Sequence, residues 1–138
     1  MIIRKINKND FNQIINLLKQ LSDSVKLDKN SFDLFIDSLN KNHQIWIIEE
    51  NDILIVTGTI LIENKIIHNF GKVGHIEDIV VDKNNRNRKL GTKILEHLIN
   101  IAKKDNCYKV ILNCNIKFEN FYKKNNFKTN GLEMAMYF

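Results

Sequence analysis

The chain has 138 residues, the length of one globular domain, and its 43% hydrophobic and 27% charged residues suffice for a core without disulfides or metals. This balance excludes a disordered chain, a collagen-like repeat and a disulfide scaffold. No apolar run reaches the roughly 20 residues of a membrane span, and the first six residues lack a secretory signal, so we expect a cytoplasmic protein with a single domain over residues 1–138.

The net charge of +5 does not by itself predict a nucleic-acid partner. Lysines supply 18 of the 21 basic residues and are scattered, while 21 Asn and 22 Ile residues indicate an A/T-rich genome. Nucleic-acid binders concentrate their basic residues on one face. We therefore expect no nucleic-acid partner, and give more weight to Arg86 and Arg88, two of the three arginines.

Hydrophobic spacing predicts strand, helix, helix, strand and strand in the first half of the chain. The predicted ranges are residues 2–6, residues 11–21, a helix that opens at Asp28 or Ser31 with Leu39 as its last inward residue, residues 45–49 and residues 53–62. We expect Asp10 to cap the first helix, Phe35 to face inward in the second, and Gly58 to break the last strand. Residues 63–65 then turn the chain back.

The second half of the chain alternates strand and helix. The predicted ranges are residues 73–82, 91–104, 108–113, 117–124 and 131–138, the first, third and last being strands. The full order is β-α-α-β-β-β-α-β-α-β. A meander followed by alternating strand and helix predicts an α/β domain whose mixed, mostly antiparallel sheet is flanked by helices.

The two cysteines predict neither a disulfide nor a metal site. Cys107 and Cys114 lie seven residues apart in one predicted strand, so their side chains point to opposite faces. Their spacing matches no zinc motif. We expect two reduced core cysteines, as in a cytosolic protein, and no metal.

The strand at residues 73–82 carries polar groups in its middle. Apolar residues on both faces indicate that the strand is buried, yet it contains His75, Glu77 and Asp78. A buried carboxylate is costly unless it is paired, and each acid could pair with a neighbouring Lys, His or backbone N–H. Two adjacent acids beside a histidine favour a cleft.

A basic loop follows this strand and runs into a helix. Arg86, Arg88 and Lys89 precede the predicted helix start at Gly91. The unpaired N–H groups of a first helical turn and the helix dipole favour an anion, and the size suits a phosphate or pyrophosphate. A solvated basic loop is the alternative. Neither a P-loop nor a dinucleotide-binding fingerprint is present.

This strand, loop and helix resemble a known family. Arg-x-x-x-x-Gly opening a helix, from Arg86 to Gly91, resembles the acetyl-CoA pyrophosphate loop of the GNAT acetyltransferases, although Lys89 stands where many members have a glycine. The wider resemblance, over nearly the whole chain, is to the glucosamine-6-phosphate N-acetyltransferases of that superfamily. It is carried by residues 65–68, 74–79, 107–112, 121–124 and Glu133-Met134. It implies the GNAT fold.

The resemblance implies a binding path for acetyl-CoA. The pantetheine amides would pair with the backbone of Ile79, Val80 and Val81, as an added strand would. The residues implied around the pyrophosphate are Arg86, Asn87, Arg88, Lys89, Leu90, Gly91 and Thr92. Because backbone N–H groups would hold the anion, we expect Lys89 to be tolerated with a negative φ.

The resemblance also implies the chemistry, a direct attack of an amine on the thioester without a covalent enzyme intermediate. Tyr122 matches the tyrosine that protonates the departing thiolate; packing against the sheet is its alternative role. Asn113 occupies a cofactor and catalytic position where many members have Asp, and Asn is not a base. Either Glu77 or Asp78 takes the amine proton, or a backbone carbonyl and water suffice.

The acceptor implied by the resemblance is glucosamine 6-phosphate, whose acetylation belongs to UDP-N-acetylglucosamine biosynthesis. The matching positions are Ser22, Lys65, Ile66, Ile67, His68, Glu77, Asp78, Ile79, Tyr108 and Lys109. Some members add an Arg from the neighbouring subunit of a homodimer, near the position of Tyr137, which this chain lacks. Lys65, His68 or Lys109 would then hold more of the phosphate.

Two other functions fit parts of this pattern. A GNAT enzyme for another amine, such as a polyamine or a protein N-terminus, would keep the acetyl-CoA loop without needing the Lys and His residues for a sugar phosphate. A non-catalytic module that binds CoA or nucleic acid would bind without turnover, with a strong salt dependence if the partner were DNA.

Overall fold

A computed structural model describes residues 1–22 and 26–138. Five strands form one sheet in the order β1-β2-β3-β4-β5. Their bounds are β1 Ile2–Lys5, β2 His43–Glu50, β3 Ile53–Asn64, β4 Lys72–Val81 and β5 Cys107–Ile111. The first four strands are antiparallel to their neighbours, and β5 is parallel to β4. The prediction of a mixed, mostly antiparallel sheet is confirmed.

The helices cover both faces of this sheet. Their bounds are α1 Phe11–Leu18, α2 Lys29–Ser38, α3 Ile67–Phe70, α4 Leu90–Lys104 and α5 Glu119–Lys124. On one face α4 buries Ile94, Leu95 and Leu98 against the centre of the sheet. On the other face α1 and α2 bury a second cluster around Ile47 and Val80. The central strands are therefore buried on both faces, which makes them a rigid support.

Two local predictions in the first helices are wrong. Asp10 does not cap α1; its buried carboxylate instead accepts hydrogen bonds from the Arg4 guanidinium (2.7 and 2.8 Å) and from the Asn7 N–H (2.7 Å). Phe35 is 43% exposed, because α2 meets the rest of the fold chiefly through Phe32. A charged partner and the angle at which a helix docks are both set by distant residues, so spacing alone did not predict them.

Gly58 does not break β3, which is a further correction. The strand continues to Asn64, and the register moves from Thr57 opposite Val80 to Thr59 opposite Glu77. Asp78 and Ile79 therefore face Gly58 as a β-bulge in β4. A Cβ at Gly58 would lie 3.0 Å from Leu98 Cδ1, so glycine allows α4 to pack tightly where the bulge forms.

The turn between β3 and β4 comes later than predicted. Glu63 and Asn64 belong to β3, and the reversal occurs over residues 65–71. It includes α3, a single turn that was not predicted, in which His68, Asn69 and Phe70 all have positive φ. Left-handed backbone costs roughly 1–2 kcal/mol per non-glycine residue, so surrounding contacts must hold this turn.

The predicted strand at residues 131–138 is wrong as well: this segment forms no strand. We call residues 131–138 the C-terminal arm. Its large apolar side chains are each at least 79% exposed: Leu132, Met134, Met136, Tyr137 and Phe138. Alternating apolar residues identify a strand only where they pair with a sheet edge. The arm carries that pattern but pairs with no strand in the described part of the chain.

The cysteines depart from prediction in one case. Cys107 begins β5 and is half-buried, whereas Cys114 lies three residues beyond the end of β5 and is exposed. Both are free thiols. Cys114 is therefore neither a core residue nor part of the same strand. None of the helices in the described part of the chain is long and apolar enough to span a membrane.

Candidate active site

The central feature of the candidate site is the divergence of β4 and β5. The two strands pair only from Lys72 with Cys107 to His75 with Ile111. There β5 ends, while β4 continues to Val81. The bulge at Asp78, whose φ is +50°, bends β4 at this point. The edge of residues 76–81 that faces away from β3 has no strand partner among the described residues, so an extended ligand with amide groups can pair there.

The loop that follows β4 provides an anion site. Asp82 caps a short 3₁₀ turn, Lys83–Asn85, and α4 begins at Leu90. The N–H groups of the first turn of α4 have no acceptor within the helix, and the helix dipole adds positive potential. Asn87 and Lys89 adopt positive φ, +64° and +58°. The expectation of a negative φ at Lys89 is therefore wrong, because this lysine adopts left-handed backbone.

The basic side chains of this loop are not equivalent. Arg88 donates to Asn85 Oδ1 (2.6 Å) and to Glu50 Oε1 (2.9 Å), so its charge is already balanced. Arg86 and Lys89 are exposed and make no ion pair within the described residues. The loop therefore has two available cations and one arginine that fixes its shape.

Tyr122 is placed beside this loop by α5. A Cβ at Gly91 would lie 3.3 Å from Phe121 Cζ, so α5 packs against the start of α4. The Tyr122 ring contacts those of Phe121 and Phe127, at centroid distances of 5.0 and 5.8 Å. Burial, then Cys114 and then Glu77, raise the pKa of the Tyr122 hydroxyl. The hydroxyl is thus protonated at neutral pH and can donate a proton.

A cavity of about 310 Å³ adjoins Tyr122. The predicted residues Asn113 and Tyr122 both line it. Cys114 and Glu133 also line it, and the sequence reasoning assigned neither a role. Cys114 had a usable signal, since it directly follows Asn113 at a strand end. Glu133 belonged to a stretch that carries the resemblance, but it was given no role because the C-terminal segment was expected to pair within the sheet.

Glu77 and Asp78 carry negative charge into this region. Neither makes an ion pair or a side-chain hydrogen bond in the described part of the chain. Burial raises the pKa of the half-buried Glu77 carboxyl, and Asp78 and Glu133 raise it further, against an opposing effect of His75. A carboxylate with a raised pKa is a better proton acceptor near neutral pH. Asp78 is exposed on the bulge.

The predicted acceptor residues fall into separate groups. The His68 ring stacks on Tyr108 at 4.4 Å, and Lys109 Nζ lies 5.6 Å from the same ring. Lys65 Nζ binds Glu63 Oε1 at 2.7 Å, and this hydrogen bond raises the pKa of Lys65. Ile66 and Ile67 are exposed on the same turn, so only their backbone is available for specific polar contacts.

The acceptor position Ser22 lies apart from this turn, and His75 is linked to the turn through Glu63. Ser22 follows α1, and its N–H donates to the Leu18 carbonyl at 3.1 Å. His75 Nε2 is bound to Glu63 Oε2 at 2.7 Å, so Glu63 joins His75 and Lys65. Within the described residues, no group of three or more His, Cys, Asp or Glu side chains is arranged to hold a metal ion.

Comparison with known proteins identifies the family to which this fold belongs. The family model described as "Acetyltransferase (GNAT) family" matches residues 11–127. This chain belongs to the GNAT acetyltransferase family. Two GNAT relatives, both named glucosamine 6-phosphate N-acetyltransferase, align over almost the full length. The Arabidopsis thaliana protein is 37% identical, and the alignment covers 99% of this chain and 95% of that protein. The Candida albicans protein is 36% identical, and the alignment covers 98% of this chain and 94% of that protein.

A solved GNAT structure supports the same fold. The crystal structure of glucosamine-6-phosphate N-acetyltransferase from Arabidopsis thaliana superposes with a TM-score of 0.95 at 36% identity. The superposition covers 99% of this chain and 97% of that one. The predicted GNAT fold is confirmed, and the β4 bulge, the diverging strands and the loop before α4 belong to a GNAT acetyltransferase.

Proposed function

We propose that the chain transfers acetyl from acetyl-CoA to the 2-amine of glucosamine 6-phosphate, giving N-acetylglucosamine 6-phosphate and CoA for UDP-N-acetylglucosamine biosynthesis. The observation that carries this proposal is the unpaired edge of β4 between an anion-binding loop and Tyr122. The two relatives with this activity in their names, similar over nearly the whole chain, support the choice of acceptor.

In this proposal acetyl-CoA occupies the cleft between β4 and the α4 loop. The backbone of Ile79, Val80 and Val81 pairs with the pantetheine amides, because that edge has no strand partner. The backbone of residues 87–92 holds the pyrophosphate, assisted by the exposed charges of Arg86 and Lys89. Arg88 keeps the loop in shape through Glu50.

Tyr122 acts as the general acid. When the amine attacks the thioester carbonyl, the C–S bond breaks and the sulfur leaves with the bonding electrons. The Tyr122 hydroxyl, which is protonated at neutral pH, donates a proton or a hydrogen bond to that sulfur. The transfer is direct, in a complex that holds both substrates, without an acetyl-enzyme.

Glu77 acts as the proton acceptor for the amine. Its pKa is raised and it has no ionic partner in the described chain, so it can accept a proton as the new C–N bond forms. Asn113 lines the cavity beside Tyr122 and can orient the amine through its side-chain amide, without acting as a base. Asp78, on the bulge, attracts the ammonium form of the sugar on arrival.

The phosphate binds at the turn that carries His68 and at the start of β5. His68, Tyr108 and Lys109 are in mutual contact and exposed, and Lys65 is adjacent through Glu63. Ser22, Ile66, Ile67 and Ile79 complete the proposed acceptor surface. Lys109 and His68 carry more of the phosphate charge than Lys65, whose ammonium is already paired with Glu63.

The active form in this proposal is a cytoplasmic homodimer of a single-domain chain. The C-terminal arm exposes five large apolar residues, and β5 is an edge strand whose other side is open along a groove of about 1060 Å³. An arm from a second copy can pair with this edge and remove both from water. The two free thiols suit a reducing compartment.

The test is the release of free thiol from acetyl-CoA in the presence of different amines. Glucosamine 6-phosphate, glucosamine, spermidine and a peptide N-terminus are compared at equal concentration. The proposal predicts rapid release with the sugar phosphate and slow release with the other three. Faster release with spermidine or the peptide would assign a different acceptor, and acetyl-CoA binding without release with any amine would indicate a non-catalytic CoA module.

A further inference from the structure

A hydrogen-bonded bridge connects the end of α1 to the end of β4. Gln20 lies in the turn after α1, and both ends of its side-chain amide are used. Its Nε2 donates to Asp82 Oδ1 at 2.9 Å, and its Oε1 accepts from the Lys83 N–H at 2.9 Å. The partners lie more than 60 residues away in sequence, at the point where the chain leaves the sheet toward the anion-binding loop.

The bridge continues from Asp82 into that loop. Asp82 Oδ2 accepts from the Asn84 N–H at 3.1 Å and from Asn85 Nδ2 at 2.8 Å. Asn85 Oδ1 in turn accepts from Arg88 Nη1 at 2.6 Å. The hydrogen bond from Gln20 is the largest cause of the lowered pKa of Asp82, followed by the one from Asn85. An unbroken series of contacts thus runs from Gln20 to the loop before α4.

The turn that holds Gln20 also carries a residue of the proposed acceptor surface. Ser22, assigned above to the acceptor surface, is two residues further along the same turn. The turn is tied to α1 by hydrogen bonds from the N–H groups of Gln20, Leu21 and Ser22 to the carbonyls of Leu17 and Leu18. A shift of the Gln20 side chain therefore acts on a short, internally bonded segment rather than on a loose chain.

We propose that Gln20 is a positioning residue that couples the two substrate sites, so that CoA bound at the α4 loop raises the affinity for the sugar phosphate. The inference rests on the proposed function. Pyrophosphate binding selects one arrangement of the loop, and Gln20 transmits that arrangement to the turn that carries Ser22. By linkage, the sugar phosphate raises the affinity for CoA by the same factor.

The chain offers a matched control on the same helix. Gln13, in α1, makes an equivalent pair of contacts: its Nε2 donates to the Asp52 carbonyl at 3.1 Å, and its Oε1 accepts from the Leu54 N–H at 2.8 Å. These contacts reach the turn between β2 and β3 rather than the α4 loop. Gln13→Ala therefore removes the same kind of bridge without touching the proposed connection.

The experiment measures the dissociation constant of glucosamine 6-phosphate by calorimetry, with and without saturating CoA, which binds without reacting. For the intact chain we expect CoA to lower this constant by about fivefold or more, the usual range for coupled sites. In Gln20→Ala the ratio should fall toward one, while both ligands still bind. Gln13→Ala should keep the ratio of the intact chain.

Each outcome is decisive. A ratio in Gln20→Ala equal to that of the intact chain, or a loss of coupling in Gln13→Ala as large as in Gln20→Ala, overturns the role of Gln20. A ratio of one in the intact chain, with both ligands bound and turnover observed, overturns the coupling and leaves the proposed function intact. An intact chain that binds CoA but not the sugar phosphate would instead contradict the proposed acceptor.

Discussion

The two halves of the cleft are built in different ways. The cofactor half rests on β4 and α4, where Ile94 and Leu98 are fully buried and a hydrogen-bonded series from Gln20 to Arg88 holds the loop. The acceptor half consists of exposed side chains, a left-handed turn and the unpaired C-terminal arm. In the proposed function, one chain therefore completes the surface for acetyl-CoA, whereas a second copy completes the surface for the amine.

The largest expected effect comes from removing the C-terminal arm. A chain that ends at Asn130 should bind acetyl-CoA as the intact chain does, because the β4 edge and the α4 loop are unchanged. Its kcat/KM for glucosamine 6-phosphate should fall by about 100-fold, since misplacing reacting groups by ångströms has effects of that size. Steady-state kinetics measure the activity, and sedimentation measures the oligomeric state. The control is Leu34→Ser, which changes an exposed residue of α2. Full activity in a monomeric truncated chain would contradict the comparison.

Tyr122→Phe should have the next largest effect. Without the hydroxyl, the departing thiolate has no proton donor. We therefore expect kcat to fall by about 100-fold or more, while the acetyl-CoA dissociation constant changes little. Tyr108→Phe is the matched control in the acceptor half; it keeps the ring that stacks on His68 and should change KM rather than kcat. An unchanged kcat in Tyr122→Phe would exclude the acid role.

Glu77→Gln tests the proposed proton acceptor, at the boundary between the two halves, through the pH dependence of the rate. The pKa of Glu77 is raised, and a base must be unprotonated, so the rate of the intact chain should fall as the pH drops through that pKa. Without the carboxylate, the fall should follow only the amine of the sugar, and kcat should be lower throughout. Profiles of kcat against pH for both proteins measure this.

Asn113→Asp is the counterpart of that experiment. It places a carboxylate at residue 113, which lines the cavity beside Tyr122. If Glu77 takes the proton, the change in kcat should be small. A large rise in kcat would show that the chain lacks an efficient base and that the carboxylate at residue 113 is the missing group.

Gly58→Val should weaken the support of the cofactor half. Its added atoms would meet Leu98 Cδ1 at 3.0 Å and Ile94 Cγ1 at 3.2 Å, and overpacking of this kind costs about 2 kcal/mol of unfolding free energy. Urea unfolding measures the loss, with Ile53→Val, 60% exposed in the same strand, expected to change it by less than about 0.5 kcal/mol. Equal stability of the two variants would show that α4 can move away from β3.

The smallest expected effect concerns His97 on α4. Burial and then Lys104 lower its pKa; its Nε2 is buried without a hydrogen-bond partner, and its ring packs on Trp46 at 4.3 Å. The folded state holds the His97 ring neutral. The free energy of unfolding should therefore decline as the pH falls below about 6.5, because the unfolded chain then binds a proton that the folded chain does not. The decline should end where the pH reaches the lowered pKa of the folded state. His97→Phe should flatten this decline in urea unfolding between pH 7 and 5, with activity retained. If the stability of His97→Phe declines as steeply as that of the intact chain, other titratable groups cause the decline.

Most of the fold was predictable because its signals are local. The amphipathic spacing of α4 and the apolar runs of β2 and β3 each need only neighbouring residues. The errors fall where a distant partner decides. Asp10 is held by Arg4, Gly58 is explained by Leu98, and the C-terminal arm has the pattern of a strand but pairs with no strand in the described part of its own chain.

The candidate site was predictable to a different extent in its two halves. The basic loop before Gly91 and the acids in β4 can be recognised in the sequence, because helix starts and buried charges have defined physical consequences. The engagement of Arg88 by Glu50, the positive φ of Lys89 and the placement of Glu133 on the cavity beside Tyr122 could not be predicted. They depend on how the loops at the ends of β2, β4 and β5 come together.

The most direct test of the central claim follows a labelled acetyl group through a single turnover. Enzyme and isotope-labelled acetyl-CoA are mixed with glucosamine 6-phosphate, quenched at successive times and analysed by mass spectrometry for acetylated sugar and acetylated protein. Because Cys114 lies beside Tyr122, an acetyl-enzyme would be expected there if one formed. Direct transfer predicts label on the sugar amine in step with CoA release and none on the protein. Label on Cys114 that appears before the product and decays as the product forms would contradict it.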